Sequence, residues 1–209
     1  GDGMKAFPLT LRVLAHLLSY PDAELRSHLD ELGTALRQEQ ALSPARLGEL
    51  DTLLQRLARR DALDTEAEFV ELFDRGRGTA LHLFEHVHGD SRDRGPAMID
   101  LAQTYEKTGL YLAEGELPDY LPAVLEFVST QPPAEARAFL SEMAHIFNAI
   151  FSALQKHRSP YASILGALLD LRATFPEEVS FSIPRVSIRR PAWFRRAIRG
   201  VFSRVNRFG

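Results

Sequence analysis

A chain of 209 residues with 45% hydrophobic and 25% charged side chains is long enough for one domain with a sizeable core. It has no cysteine, which excludes disulfides, thiolate catalysis and cysteine-ligated zinc or iron–sulfur clusters, and no apolar run of about 18 residues that would make a transmembrane helix. The net charge of −3 hides an asymmetry: eight arginines and no acids fall between Phe181 and Gly209, while the other 180 residues carry 17 basic against 28 acidic side chains, a balance of −11. Such a body argues against nucleic-acid binding and attracts a cationic partner.

In chain order, Gly1-Asp2-Gly3 ahead of Met4 reads as a remnant of expression. The apolar stretch that follows lacks the small-residue cleavage site of a signal peptide, so a cytoplasmic protein is expected. Leu11, Leu14 and Leu18 recur at helical spacing up to a turn at Ser19–Asp22. Pro21 is expected in the first turn of the next helix, with Asp22 and Glu24 at its positive end. Further stripes run through Leu47, Leu50, Leu54 and Leu57, through Phe69, Leu72 and Phe73, and through Met98, Leu101, Ala102 and Tyr105 as far as Gly109. Leu140, Met143, Phe147, Ile150 and Leu154 form one long stripe, and Ile164, Leu168, Leu171 and Phe175 another after the break at Ser159-Pro160.

One-sided stripes of this period predict an all-α, single-domain helical bundle. The only alternating run is 179–183, and one strand does not make a sheet. Pro118 and Pro122 disfavour helix at the residues before them, so 115–122 reads as a rigid extended hinge between a front and a back set of helices. The expected organisation is a helical body over 4–178 and a basic tail over 179–209.

Chemistry concentrates between Phe73 and Gly95. His82 and His86 have the i, i+4 spacing of helical zinc ligands, and Asp74, Glu85, His88, Asp90 and Asp93 lie nearby, but no HExxH accompanies them. A metal-dependent hydrolase built on the His/Asp/Glu cluster at 82–93 is therefore the alternative reading, and the weaker one. Ser91 has no nucleophile elbow around it, and the glycines at 76 and 78 match neither a Walker A loop nor a dinucleotide fingerprint. A polar network suits the residues better: Asp90 and Asp93 cap a helix beginning near Arg94, and Arg92 and Arg94 fork onto carboxylates such as Asp74 or Glu85.

The block from Glu71 to Leu110, followed by Glu116–Phe127, closely resembles the NarJ proteins, assembly chaperones of respiratory nitrate reductase within the TorD/DmsD family of redox-enzyme maturation proteins. The resemblance implies an all-helical, non-enzymatic chaperone without a cofactor of its own. It implies binding in the cytoplasm to the N-terminal peptide of the nitrate reductase alpha subunit, which is held in the apo-enzyme for molybdenum cofactor and iron–sulfur insertion before membrane docking. A dimer made by exchanging helices at the hinge stays open.

The family's motif and hinge positions fall on Asp74, Glu85, His86, Gly89, Asp90, Arg92, Arg94, Gly95, Glu116, Pro118 and Asp119, with Tyr120 where a histidine is frequent. The peptide groove implied by the resemblance would be lined by Phe73, Leu83, Phe84, His88, Tyr105, Leu117, Tyr120 and Leu121. A basic amphipathic client would set apolar anchors in such a groove and arginines on its acidic rim.

The tail departs from the family's pattern. On a helix, Phe194, Ile198, Val201, Phe202 and Val205 share one face and the arginines the other, with Pro191 just inside the start. It reads as a membrane-surface helix, a self-inhibitory arm, or an appended client-like segment, with Trp193, Phe194, Ile198 and Phe202 as the anchors, against the simpler reading of a C-terminal helix packed on its own domain.

Overall fold

The computed structural model describes residues 5–87, 94–172 and 202–204. Among these are ten α-helices: α1 (Pro8–Leu17), α2 (Ala23–Ser27), α3 (Leu29–Glu39), α4 (Pro44–Arg59), α5 (Ala62–Phe69), α6 (Arg94–Lys107), α7 (Leu121–Ser129), α8 (Pro133–Glu142), α9 (Ala144–Lys156) and α10 (Ala162–Arg172). A π-helical turn, Val70–Asp74, continues α5, and a 3-10 turn spans Leu83–His86. Two short strands, β1 (Leu110–Leu112) and β2 (Phe202–Arg204), complete the set. The fold is all-α, as the periodicity predicts.

The centre is built from helices that are apolar on nearly every side. All of α7 is buried, as are Thr10–Leu17 of α1 and Ala162–Leu168 of α10. A helix apolar all round needs cover on all sides. Accordingly α1 packs on α7, α3 and α10, while α10 also packs on α4, α8 and α9. The helices before and after residues 115–122 therefore share one hydrophobic core.

Local chemistry sets the helix ends. Asp22, Ser43 and Asp61 accept backbone N–H groups at the starts of α2, α4 and α5. Pro21 thus lies ahead of the Asp22 cap, outside the first turn of α2. The start of α1 has no cap of its own; Glu39, from the end of α3, accepts the N–H groups of Leu9 and Thr10 at 2.9 and 2.8 Å.

Three other expectations need correction. The Leu140–Leu154 stripe spans two helices, α8 and α9, which meet at Met143; its periodicity survives because both bury the same face. Pro122 lies in the first turn of α7, where a missing N–H costs nothing. Phe202–Arg204 is strand, not helix: it pairs antiparallel with β1, Leu110 opposite Arg204, Tyr111 opposite Ser203 and Leu112 opposite Phe202. An available strand edge overrides the weak helical preference of a segment flanked by Val201 and Val205. The 179–183 run, Phe175, Pro191, Trp193, Phe194 and Ile198 lie outside the described residues.

Candidate functional site: a clasp between residues 81–84 and 119–121

Two segments far apart in sequence meet as a short antiparallel ladder. The N–H of Leu121 donates to the carbonyl of Leu81 at 2.9 Å, and that of Leu83 to the carbonyl of Asp119 at 3.0 Å. His82 and Tyr120 face each other in the bridge, their rings stacked 5.2 Å apart. Asp119 is fully buried, and its Oδ2 accepts the N–H of Phe84 at 3.0 Å, capping the 3-10 turn. Its Oδ1 has no hydrogen-bond partner among the described residues. Behind it, the hydroxyl of buried Tyr105 donates to the carbonyl of Pro118 at 2.7 Å, which ties α6 to the same backbone.

The surroundings are acidic. Burial, reinforced by Glu116 and Asp74, pushes the Tyr120 hydroxyl up to about 12. Burial raises the Glu116 carboxyl, partly offset by His82. Burial also raises the Tyr105 hydroxyl, with Asp119 adding to the effect, so it remains a neutral donor.

A second, aromatic knot ties the end of α5 to Tyr161. Phe69 and Phe73 lie 4.8 Å apart, and Phe73 meets the ring of Tyr161 edge-on at 5.1 Å. The π turn between them passes from α5 to Gly76. A Cβ on Gly76 would stand 2.5 Å from both the Leu72 carbonyl oxygen and Thr79 Oγ1, so only glycine fits while the Thr79 hydroxyl donates to that carbonyl.

Of the residues expected to line a groove, Phe73, Leu83, Phe84, Tyr105 and Leu121 are buried. Leu117 is 45% exposed and Tyr120 half-buried, so these two present surface. Direct contact by the other five would require the clasp to open. His88, Gly89, Asp90, Arg92 and Asp93 lie outside the described residues. Asp74 and Glu85 are exposed, Glu116 is half-buried and Pro118 buried beside the cap, while Arg94 and Gly95 open α6.

The zinc spacing of His82 and His86 is not realised. His82 is extended, and the Nε2 of His86 lies 2.7 Å from the carbonyl oxygen of Ala80. Among the described residues no group of three or more His, Asp or Glu side chains could hold a metal ion. Sequence reasoning missed the stacking of His82 on Tyr120 and the strand at β1. The short Leu-Tyr-Leu run between Gly109 and Gly115, both with left-handed φ, was the available signal for the strand.

The helical fold of the described residues is shared with a solved redox-enzyme maturation protein. A crystal structure of a candidate member of that class from Archaeoglobus fulgidus shares the fold, with a TM-score of 0.58 and 21% identity over 81% of this chain and 94% of that one. The family model for the nitrate reductase delta subunit matches residues 21–165, and the chain belongs to that family. Its relatives include the nitrate reductase molybdenum cofactor assembly chaperone NarJ of Escherichia coli K12, 43% identical over 79% of this chain and 70% of that protein. NarW of the same organism, named as a probable chaperone of the same kind, is 40% identical over 77% of this chain and 67% of its own length. NarJ of Bacillus subtilis, also so named, is 34% identical over 77% of this chain and 86% of its own. These are assembly and maturation proteins, not catalysts. Among the described residues no helix is long and apolar enough to cross a membrane.

Proposed function

We propose that this chain is a cytoplasmic maturation chaperone of respiratory nitrate reductase. It binds the N-terminal segment of the alpha subunit and holds it while the molybdenum cofactor and iron–sulfur cluster are inserted, before membrane docking. The observation that carries the reading is the 43% identity to an assembly chaperone of that enzyme, extending over most of both chains.

The clasp face supports a place for the client. Leu117 and Val87 are exposed apolar side chains close in sequence to the stacked His82 and Tyr120, and Glu116 and Asp74 set negative charge against Tyr120. A basic amphipathic helix would set an apolar anchor against Leu117 and Tyr120 and its arginines toward those carboxylates. The body over residues 4–178 is the chaperone unit in this reading, and residues 115–122 are the joint that adjusts to the client.

Calorimetry of the full chain with a synthetic peptide of the alpha-subunit N-terminus tests it. One-to-one binding that weakens with salt is expected. Leu117→Asp should cost about 2 kcal/mol of affinity, as for a central anchor, while Leu63→Asp, at a 75% exposed position on α5, should leave affinity unchanged. No binding, or equal losses in both variants, would refute this placement.

A further inference from the structure

β1 pairs with a strand distant in sequence. Among the described residues its only ladder partner is β2, which comes from the far end of the chain. Leu110 and Leu112 pack against the core, whereas Tyr111 points outward and is 38% exposed. The inner face of β1 is thus anchored, and its edge offers backbone donors and acceptors to any extended segment.

The occupant is three residues long, and a two-stranded ribbon of that length is marginally stable. Its chemistry is also distinctive. Residues 195–209 hold five arginines and no acid, while the sequence flanking β1 holds three acids, Glu106, Glu114 and Glu116, against one base, Lys107. Residues 201–205, Val-Phe-Ser-Arg-Val, are rich in strand-favouring types.

We propose that the β1 edge is a strand-addition site for an extended, arginine-rich peptide, and that Phe202–Arg204 is a plug that occupies it in cis. A partner segment of the same chemistry gains the edge by displacing the plug, pairing through main-chain hydrogen bonds with its cationic side chains near the flanking carboxylates. An edge that is free one-tenth of the time weakens the apparent affinity of such a peptide about tenfold. Glu116 is common to both surfaces, but the two readings are tested apart, because Leu117 and the β1–β2 ladder are altered by different substitutions.

The absence of cysteine makes the test clean, since any disulfide in a double variant is the one introduced. Tyr111 and Ser203 are direct partners in the ladder, and directly opposed residues lie within disulfide reach. The Tyr111→Cys/Ser203→Cys chain should form an intramolecular disulfide under mild oxidation, and the Leu117→Cys/Ser203→Cys chain, with one cysteine outside the ladder, should not. A fluorescein-labelled peptide with the sequence of residues 201–209 should bind the Ser203→Pro chain about tenfold more tightly than the unaltered one. It should fail to bind the oxidised Tyr111→Cys/Ser203→Cys chain and bind again after reduction.

Absence of the cross-link, or cross-linking only between two copies, would overturn the plug in cis. Equal peptide affinity for the oxidised and reduced forms would overturn β1 as the docking edge. Equal affinity for the Ser203→Pro and unaltered chains would overturn displacement.

Discussion

Asp119 and Phe84 stand 35 positions apart, and the buried carboxylate of one accepts the backbone N–H of the other at 3.0 Å. Asp119→Ala strands that donor in the interior and should cost about 1–3 kcal/mol. Asp119→Asn keeps an oxygen in place and should lose less. Urea denaturation of the two variants decides the matter: equal losses would show that the cap is not what Asp119 contributes.

Gly76 and Gly78 lie two positions apart and should respond unequally to alanine. At Gly76 the new Cβ meets the Leu72 carbonyl and Thr79 Oγ1 at 2.5 Å, and the π turn must shift. At Gly78 it meets only the Ala153 Cβ, at 3.5 Å. Thermal melts should show Gly76→Ala destabilised by about 1–3 kcal/mol and Gly78→Ala changed by no more than about 0.5 kcal/mol.

His16 predicts an acid-side loss of stability. Burial foremost, then the charges of Arg12 and His28, lower its pKa from the usual 6.5 to about 4. Above pH 6.5 neither folded nor unfolded chain protonates this ring, and its neutral, buried form is fully compatible with the fold. As the pH falls toward 4 the unfolded chain takes up the proton first, so stability declines, by at most about 3 kcal/mol. In His16→Gln the denaturant midpoint should fall less across that window; an unchanged slope would count against His16 as its source.

Arg12 and Glu126 join α1 to α7 with an ion pair of 3.6 Å in the core, and Arg12 Nε also donates to Ser129 Oγ at 3.1 Å. Removing one partner leaves a buried charge, so Arg12→Leu and Glu126→Leu should each cost about 3–5 kcal/mol. The double variant should recover part of that loss, because the pair is taken out together. Simple additivity in a double-mutant cycle would contradict the coupling.

The helical core was legible because burial follows period. Leu11, Leu14 and Leu18, then Leu140, Phe147, Ile150 and Leu154, are all buried as their spacing implies. The Glu-Leu-Pro-Asp-Tyr motif was legible as a feature, but its working was not. Nothing local says that Asp119 caps residue 84, since that bond depends on a chain reversal of 35 positions. The metal-like spacing of His82 and His86, the weaker reading from the start, assumes an α-helix, whereas a bridge at residue 82 and a 3-10 turn at 83–86 set the two rings differently. The tail misled at Phe202–Arg204 because the same apolar residues serve a helix face or a strand, and the choice is made by the β1 edge.

Because the ladder joins 81–84 to 119–121, everything between forms a ring fastened at its base. Closing a ring becomes costlier only with the logarithm of its length, so doubling its length adds about 0.6 kcal/mol. Lengthening the ring is therefore entropically cheap, and what constrains its sequence is packing: Leu101 and Tyr105 are buried in the core and Leu110 and Leu112 pack against it. The clasp sets where the ring closes, and these four side chains set its course over the helical core.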